Sequence, residues 1–320
     1  MTTPSRLQVV VQEIIDETQD IRSFDLRAAD GYCLPAFDAG AHVDVYAPGG
    51  YVRQYSLCND PTETGRYVIA VKREPNGRGG SAAMHDSVKA GDRLEISTPR
   101  NHFALEPGSA RVLLVGGGIG MTPLMAMAET LLARGIDFDL ALFARGRAFL
   151  PFAERLGRPE LAAHMRLHFD AADEPEKIDL AQLLGGTADG RHLYLCGPDG
   201  FMKAVRSHAA HWPSDQVHVE HFAANREDVA EGESRQFAVI LAQSGKELVV
   251  PSDKSILDVL RVHGIDVPTS CEEGVCGTCV TNYSDGEPDH RDFCLSPRER
   301  KNKLALCCSR AFSSTLRIEL

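Results

Sequence analysis

The 320-residue sequence has no apolar run of the roughly 20 residues a bilayer-spanning helix needs, so no membrane span is expected. Its first residues, MTTPSRLQVVVQEI, lack the basic and apolar blocks of a secretory leader, and a cytoplasmic location is expected. Basic residues are in the minority: 34 Lys and Arg face 45 Asp and Glu, a formal charge of −11. That balance excludes a nucleic-acid binder, which needs basic stripes to meet phosphates. It suits either simple solubility or docking onto a basic patch of a partner. Internal repeats and low-complexity tracts are absent. So is any need for a nucleophilic triad, and scattered histidines such as His164 and His208 read as surface or packing residues.

Cysteine is abundant and unevenly spread. Cys33, Cys58 and Cys196 are scattered, whereas Cys271, Cys276, Cys279, Cys294, Cys307 and Cys308 crowd the last fifth of the chain. Clustered cysteines in a cytosolic chain point to metal or redox chemistry rather than disulfides. The segment CEEGVCGTC over residues 271–279, with further cysteines downstream, has the C-x4-C-x2-C…C spacing of a plant-type [2Fe–2S] site. Each iron needs two thiolates, so four must converge. A loop relaxed by Gly274 and Gly277 can present three of them and aim amides at the sulfurs. Zinc is the weaker alternative, because its sites favour paired C-x2-C knuckles and only one such pair exists here. Spacing does not choose between Cys307 and Cys308. Cys294 lies in a polar loop and is read as a non-ligand.

Upstream, the hydrophobic pattern changes twice. Residues 6–14, 21–26, 42–47, 52–58, 66–73 and 93–98 are short strand candidates separated by Gly, Pro and Asp, with one helical patch at 81–88. This pattern predicts a small antiparallel barrel over residues 1–108. From residue 109 to 224, strand-like runs (111–115, 138–143, 165–169, 192–195, 216–222) alternate with helical stretches, which predicts a doubly wound parallel sheet. A polar stretch within 223–235 reads as a linker, placed at 225–235. Residues 236–320 form a third unit, small enough to need a staple.

Two glycine turns sit at strand ends in the middle unit, where open α/β sheets bind ligands. One is GGGIGMTP (116–123) and the other CGPDG (196–200). The first is not a strict G-x-G-x-x-G, but its glycines before a helix start suit a pyrophosphate. In the barrel, Arg53 can pair with a phosphate, Tyr55 offers a flat face and Ser56 a hydroxyl, and Gly79, Gly80 and Ser81 open a helix as a second anion site.

The series RQYSL, GRGGS, GGGIGMTPL, CGPDGFM, CEEGVCGTC, EPDHRD and CCSRA resembles the phthalate dioxygenase reductase family over essentially the whole chain. The resemblance implies FMN in the barrel, NADH in the middle domain, and a [2Fe–2S] ferredoxin of β-grasp fold at the C-terminus. It further implies an electron-transfer role beside a terminal Rieske-type oxygenase. A cytochrome P450 partner and a redox-sensing iron–sulfur protein are the alternatives.

By the same resemblance, Arg53, Gln54, Tyr55 and Ser56, the stretch Ala70, Val71 and Lys72, and Gly79, Gly80 and Ser81 hold the flavin. Thr122 lies between flavin and nicotinamide, and Phe222 packs near the ring. Gly117, Gly118, Gly120, Pro123, Cys196, Gly197 and Pro198 frame the dinucleotide. Ser56, Thr122 and Cys196 act at the hydride step, and Cys271, Cys276, Cys279 and Cys307 carry the cluster. Arg145 and Arg147 are candidates for a 2′-phosphate and Asp170 for a ribose hydroxyl. The residues themselves separate neither FMN from FAD nor NADH from NADPH.

Overall fold

The computed structural model describes residues 6–75, 77–109, 111–171, 173–186, 190–222, 235–295 and 298–320. The linker expected at 225–235 lies outside the described residues except for Arg235. Two compact units emerge, Pro4–Glu220 and His221–Leu320. No helix among the described residues is long and apolar enough to cross a membrane.

The first unit begins with a near-closed antiparallel barrel. Its elements are β1 (Arg6–Asp16), β2 (Ile21–Ala28), β3 (Ala41–Ala47), β4 (Tyr51–Ser56), β5 (Tyr67–Lys72), α1 (Gly80–Ser87), β6 (Arg93–Ser97) and β7 (Arg100–Asn101). The strand order is β4-β3-β6-β1-β2-β5, with β7 paired to β3. An antiparallel bridge from Leu57 to Ile69 draws the two ends of that order together. Period-2 alternation places the core: Ala41, Val43, Val45 and Ala47 are buried in β3. The other side of β3 carries Asp44, which accepts from Arg100 Nη2 at 2.7 Å and Gln54 Nε2 at 3.0 Å.

A parallel sheet follows: β8 (Arg111–Gly117), α2 (Met121–Arg134), β9 (Asp137–Ala144), α3 (Ala153–Leu156), α4 (Pro159–Ala162), β10 (Met165–Phe169), α5 (Leu180–Leu184), β11 (Arg191–Cys196), α6 (Asp199–His208) and β12 (Val217–Glu220). Its order, β10-β9-β8-β11-β12, reverses direction between β8 and β11. The continuous apolar run of β8 is buried on both faces, as a central parallel strand requires. The reversal point is where the ends of two neighbouring strands open a crevice. His164 is a packing residue, stacked on Phe138 at 4.2 Å, and His208 is a surface residue whose Nδ1 meets Ala204 O at 2.8 Å.

The second unit is built on β13 (Phe237–Leu241), β14 (Glu247–Val250), α7 (Ile256–Val262), β15 (Val280–Asp285), β16 (Pro288–Asp289), β17 (Lys303–Ala305), β18 (Arg310–Ala311) and β19 (Thr315–Ile318). The main sheet runs β14-β13-β19-β15-β17 and is mixed, with β13 and β19 parallel. Ile256, Leu257 and Leu260 of α7 join Phe237, Val239, Leu316 and Ile318 in one core. A reciprocal Ser255–Asp258 capping box starts α7. The return segment is fastened by Arg310, whose guanidinium donates to the carbonyls of Lys254, Arg235 and Pro251.

Candidate functional site

In the barrel, a cradle forms where β4 meets the start of α1. Arg53 donates to Val52 O and Arg78 O, both at 2.8 Å, and its guanidinium carbon lies 5.5 Å from the Tyr51 ring centre. Gly79 has a φ of +80°, and a Cβ there would sit 2.6 Å from the Tyr51 hydroxyl. A Cβ on Gly80 would sit 2.6 Å from Arg53 Cγ. The first turn of α1 has no acidic side chain and no side-chain cap, which leaves its N–H groups aimed outward. A glycine-only approach, an open helix start and an adjacent arginine fit a phosphate group. Ser81 accepts from the Glu74 amide at 3.1 Å. Burial pushes the Tyr55 phenol well above its usual range.

Not all of RQYS points to one place. Gln54 is committed to Asp44, whereas Ser56 Oγ reaches Glu220 Oε2 at 3.5 Å. Glu220 ends β12, is half-buried as a residue, and has its carboxyl pushed up to about 8 by burial. The fully buried Cys196 thiol is raised well above its usual value by burial and then by the charge of Glu220. Sequence reasoning missed Glu220. The available signal was its place at the C-terminal end of a strand in an open α/β sheet. On β5, Ala70 and Val71 are buried and Lys72 pairs with Glu74 at 2.6 Å.

The dinucleotide turns come together at the reversal point. Gly120, at the start of α2, approaches β11 so closely that a Cβ would lie 2.3 Å from Cys196 O. Thr122 is buried and donates to Ile119 O at 3.0 Å, and Pro123 is buried beside it. Beside these turns lies a cleft of about 520 Å³, walled by Gly117, Gly118, Ile119, Pro198 and the aromatic rings of Phe143, Phe149 and Phe201. The barrel contributes Asp20, Ile21 and Lys72 to the same cleft. Arg145 lines it, stacked 4.0 Å over Phe149 and 3.4 Å from Asp20 Oδ2. Arg147 instead pairs with Glu174 and Glu176. Asp170 sits on the rim, with its side chain 73% exposed.

In the second unit the thiols are paired. Cys271 and Cys276 share one hydrogen bond, which holds the Cys271 thiol high and lowers Cys276. Cys279 and Cys307 share another. Cys308 stands beside this pair: its thiol also bonds that of Cys307, and a Cβ on Gly274 of the loop would lie 2.5 Å from its sulfur. Among the described residues no three His, Cys, Asp or Glu side chains close around a single ion. Two adjacent thiol pairs fit a two-iron cluster, with one pair for each iron. The loop also turns amides inward: Glu273 N donates to Cys271 Sγ at 3.3 Å and Thr278 N to Cys276 Sγ at 3.4 Å. Burial raises Cys294 to about 12. Phe222 belongs to this second unit and is 41% exposed.

Known proteins reproduce both halves. Residues 7–105 match the oxidoreductase FAD-binding domain family, and residues 239–312 match the 2Fe-2S iron-sulfur cluster binding domain family. The chain is 45% identical to a vanillate O-demethylase oxidoreductase from a Pseudomonas species, over 98% of this chain and 100% of the relative. It is 41% identical to the phthalate dioxygenase reductase of Burkholderia cepacia, over 100% of both chains. A solved structure of phthalate dioxygenase reductase superposes with a TM-score of 0.73 at 40% identity, covering 100% of both chains. An intact self-sufficient cytochrome P450 monooxygenase superposes with a TM-score of 0.91 at 37% identity, over 98% of this chain but 41% of that one. A flavin barrel, a parallel-sheet nucleotide domain and a ferredoxin domain, aligned end to end with these reductases, leave one assignment: the chain belongs to the phthalate dioxygenase reductase family of flavin and [2Fe–2S] oxidoreductases.

Proposed function

We propose that this chain draws electrons from NADH through FMN and a [2Fe–2S] cluster and delivers them to a Rieske-type terminal oxygenase. The observation that carries the reading is the division of four thiols into two pairs, in a chain that also holds a dinucleotide cleft. Bound flavin supplies the exchange between a two-electron hydride donor and a one-electron acceptor. The chain's own residues bind, orient and exclude water. Arg53, Gly79, Gly80 and Ser81 take the flavin phosphate, and Ala70 to Lys72 run along the ring. Ser56, backed by Glu220, presents a hydroxyl proton to the ring edge. Gly117, Gly118, Gly120, Gly197 and Pro198 admit the dinucleotide backbone, with Thr122, Pro123 and Cys196 at the nicotinamide end. Gln54 supports the site through Asp44 rather than touching the cofactor.

FMN, rather than FAD, rests on the GRGGS and RQYSL likeness. NADH rests on the cleft itself: Asp20 neutralises Arg145, and Asp170 stands ready for a ribose hydroxyl. The domain borders at 108/109, 224/225 and 235/236, the Phe222 contact with the ring and a cytoplasmic location belong to the same proposal. Relatives named for vanillate, phthalate and carnitine point to a partner that oxidises a small organic acid. The P450 likeness favours a second reading, in which the acceptor is a haem protein.

The test is anaerobic NADH titration followed by visible and EPR spectroscopy, with chromatography of the released flavin. Flavin bleaching with a rhombic [2Fe–2S] signal is expected, and absence of reduction would reject the reading. Reconstitution with a Rieske oxygenase and with a P450 separates the two acceptors. We place the exit for electrons at the loop 272–278. Charge reversal at Glu272 does not report docking alone, because that carboxylate is bonded to Arg261. Salt dependence of partner turnover is the cleaner measure.

A further inference from the structure

The thiol loop contains a backbone conformation that its sequence does not favour. Glu272 has a φ of +58°, one of only two non-glycine residues among those described with a positive φ. A side chain in that region is strained and persists only where surroundings hold it. The neighbouring helix supplies the hold. Arg261, in the last turn of α7, donates through Nη2 to Glu272 Oε1 at 2.5 Å and to Thr269 Oγ1 at 3.0 Å. The left-handed turn at Glu272 is what swings the next amide back, so that Glu273 N meets Cys271 Sγ at 3.3 Å. Val275 also donates its amide to that sulfur.

We infer that Arg261 is a positioning residue for the cluster: it holds Glu272 left-handed and thereby keeps the amide hydrogen bonds on Cys271. The inference rests on the [2Fe–2S] reading of the four thiols. Amide donors on a ligand sulfur favour the more negative, reduced state of such a cluster and raise its potential. Releasing the turn removes a donor, so the potential falls and the ligand loop opens more readily.

This arrangement predicts an asymmetry that an ordinary surface ion pair does not have. Removing Arg261 leaves a strained Glu272 with nothing to hold it. Replacing Glu272 with glycine removes the same ion pair but also removes the strain, because glycine adopts a positive φ freely. The experiment uses the full-length holoprotein, with circular dichroism and flavin content verifying that each variant is folded. Dye-mediated redox titration with EPR gives the cluster potential, and a ferrous chelator gives the rate of cluster loss.

For R261A we expect a more negative potential, altered g-values and roughly tenfold faster cluster loss. For E272G, and for R261A/E272G, wild-type values are expected on all three readouts. Equal effects of R261A and E272G, or a R261A cluster with wild-type potential and g-values, would overturn the inference. A wild-type holoprotein with no [2Fe–2S] signal at all would overturn the cluster reading, and this inference with it.

Discussion

Replacing Glu220 with glutamine tests the barrel-to-sheet junction most directly. The Glu220 carboxyl ionises near pH 8 in the folded chain, against 4.5 as its ordinary value, because burial disfavours the charge. A carboxyl raised in this way stabilises the fold fully below about pH 4.5. That contribution is lost progressively as pH climbs through 8. At ~1.4 kcal/mol for each tenfold change in proton affinity, ionising it costs the native state at most about 5 kcal/mol. Because the residue is half-buried, a figure on the order of 2 kcal/mol is the working value. For a unit of this size that is roughly 4–8 °C of melting temperature. The assay is the thermal release of flavin at pH 6, 7, 8 and 9. Across this range the wild type loses a little over half of this, roughly 2–4 °C of midpoint temperature, and levels off above pH 8, while E220Q, with no proton to lose, stays flatter by that amount. Stopped-flow reduction of the flavin by NADH gives a second readout. An ionised Glu220 draws the Ser56 hydroxyl proton toward itself, so the wild-type rate falls above pH 8 and the E220Q rate does not. Identical pH slopes for the two proteins in both assays would refute the argument.

Three further outcomes follow from particular contacts. C307S abolishes the [2Fe–2S] EPR signal while C308S keeps it, because Cys307 pairs with Cys279 and Cys308 packs on Gly274. D20N frees Arg145 beside the cleft and raises kcat/KM for NADPH relative to NADH about three- to tenfold, a small gain because the ion pair is solvent-exposed. No change in that ratio would remove Asp20 from the discrimination. G79A forces a side chain into a left-handed position and against Tyr51, at a cost of roughly 1–2 kcal/mol. Its flavin dissociation constant, measured by fluorescence, rises about tenfold.

What the sequence conceals here is partnership across distance. The strands of the barrel and the parallel sheet are legible because their side chains alternate or run apolar along the chain, and that periodicity is local. The glycines before α2 are legible for the same reason: a helix start hard against a neighbouring strand tolerates nothing larger, and Gly120 shows why. A cysteine spacing survives in sequence because one loop must present three thiols. The choice between Cys307 and Cys308 does not survive, since it depends on which sulfur the fold turns toward Cys279. RQYS reads as one motif, yet Gln54 is held by Asp44 of the neighbouring strand while Ser56, two residues on along the same face, meets Glu220 of the parallel sheet, and partners that remote leave no local trace. Arg145 and Arg147 look interchangeable in sequence; one stacks in the cleft and the other is spent on Glu174 and Glu176. Glu220 shows in sequence only its place at the end of a strand. Its chemistry arises only when the edge strand β12 brings it to Ser56, 164 residues away, and removes it from water. Residues whose role comes from a remote neighbour are therefore where mutagenesis has most to teach, and Ser56–Glu220 and Arg261–Glu272 are two such pairs, one in each unit.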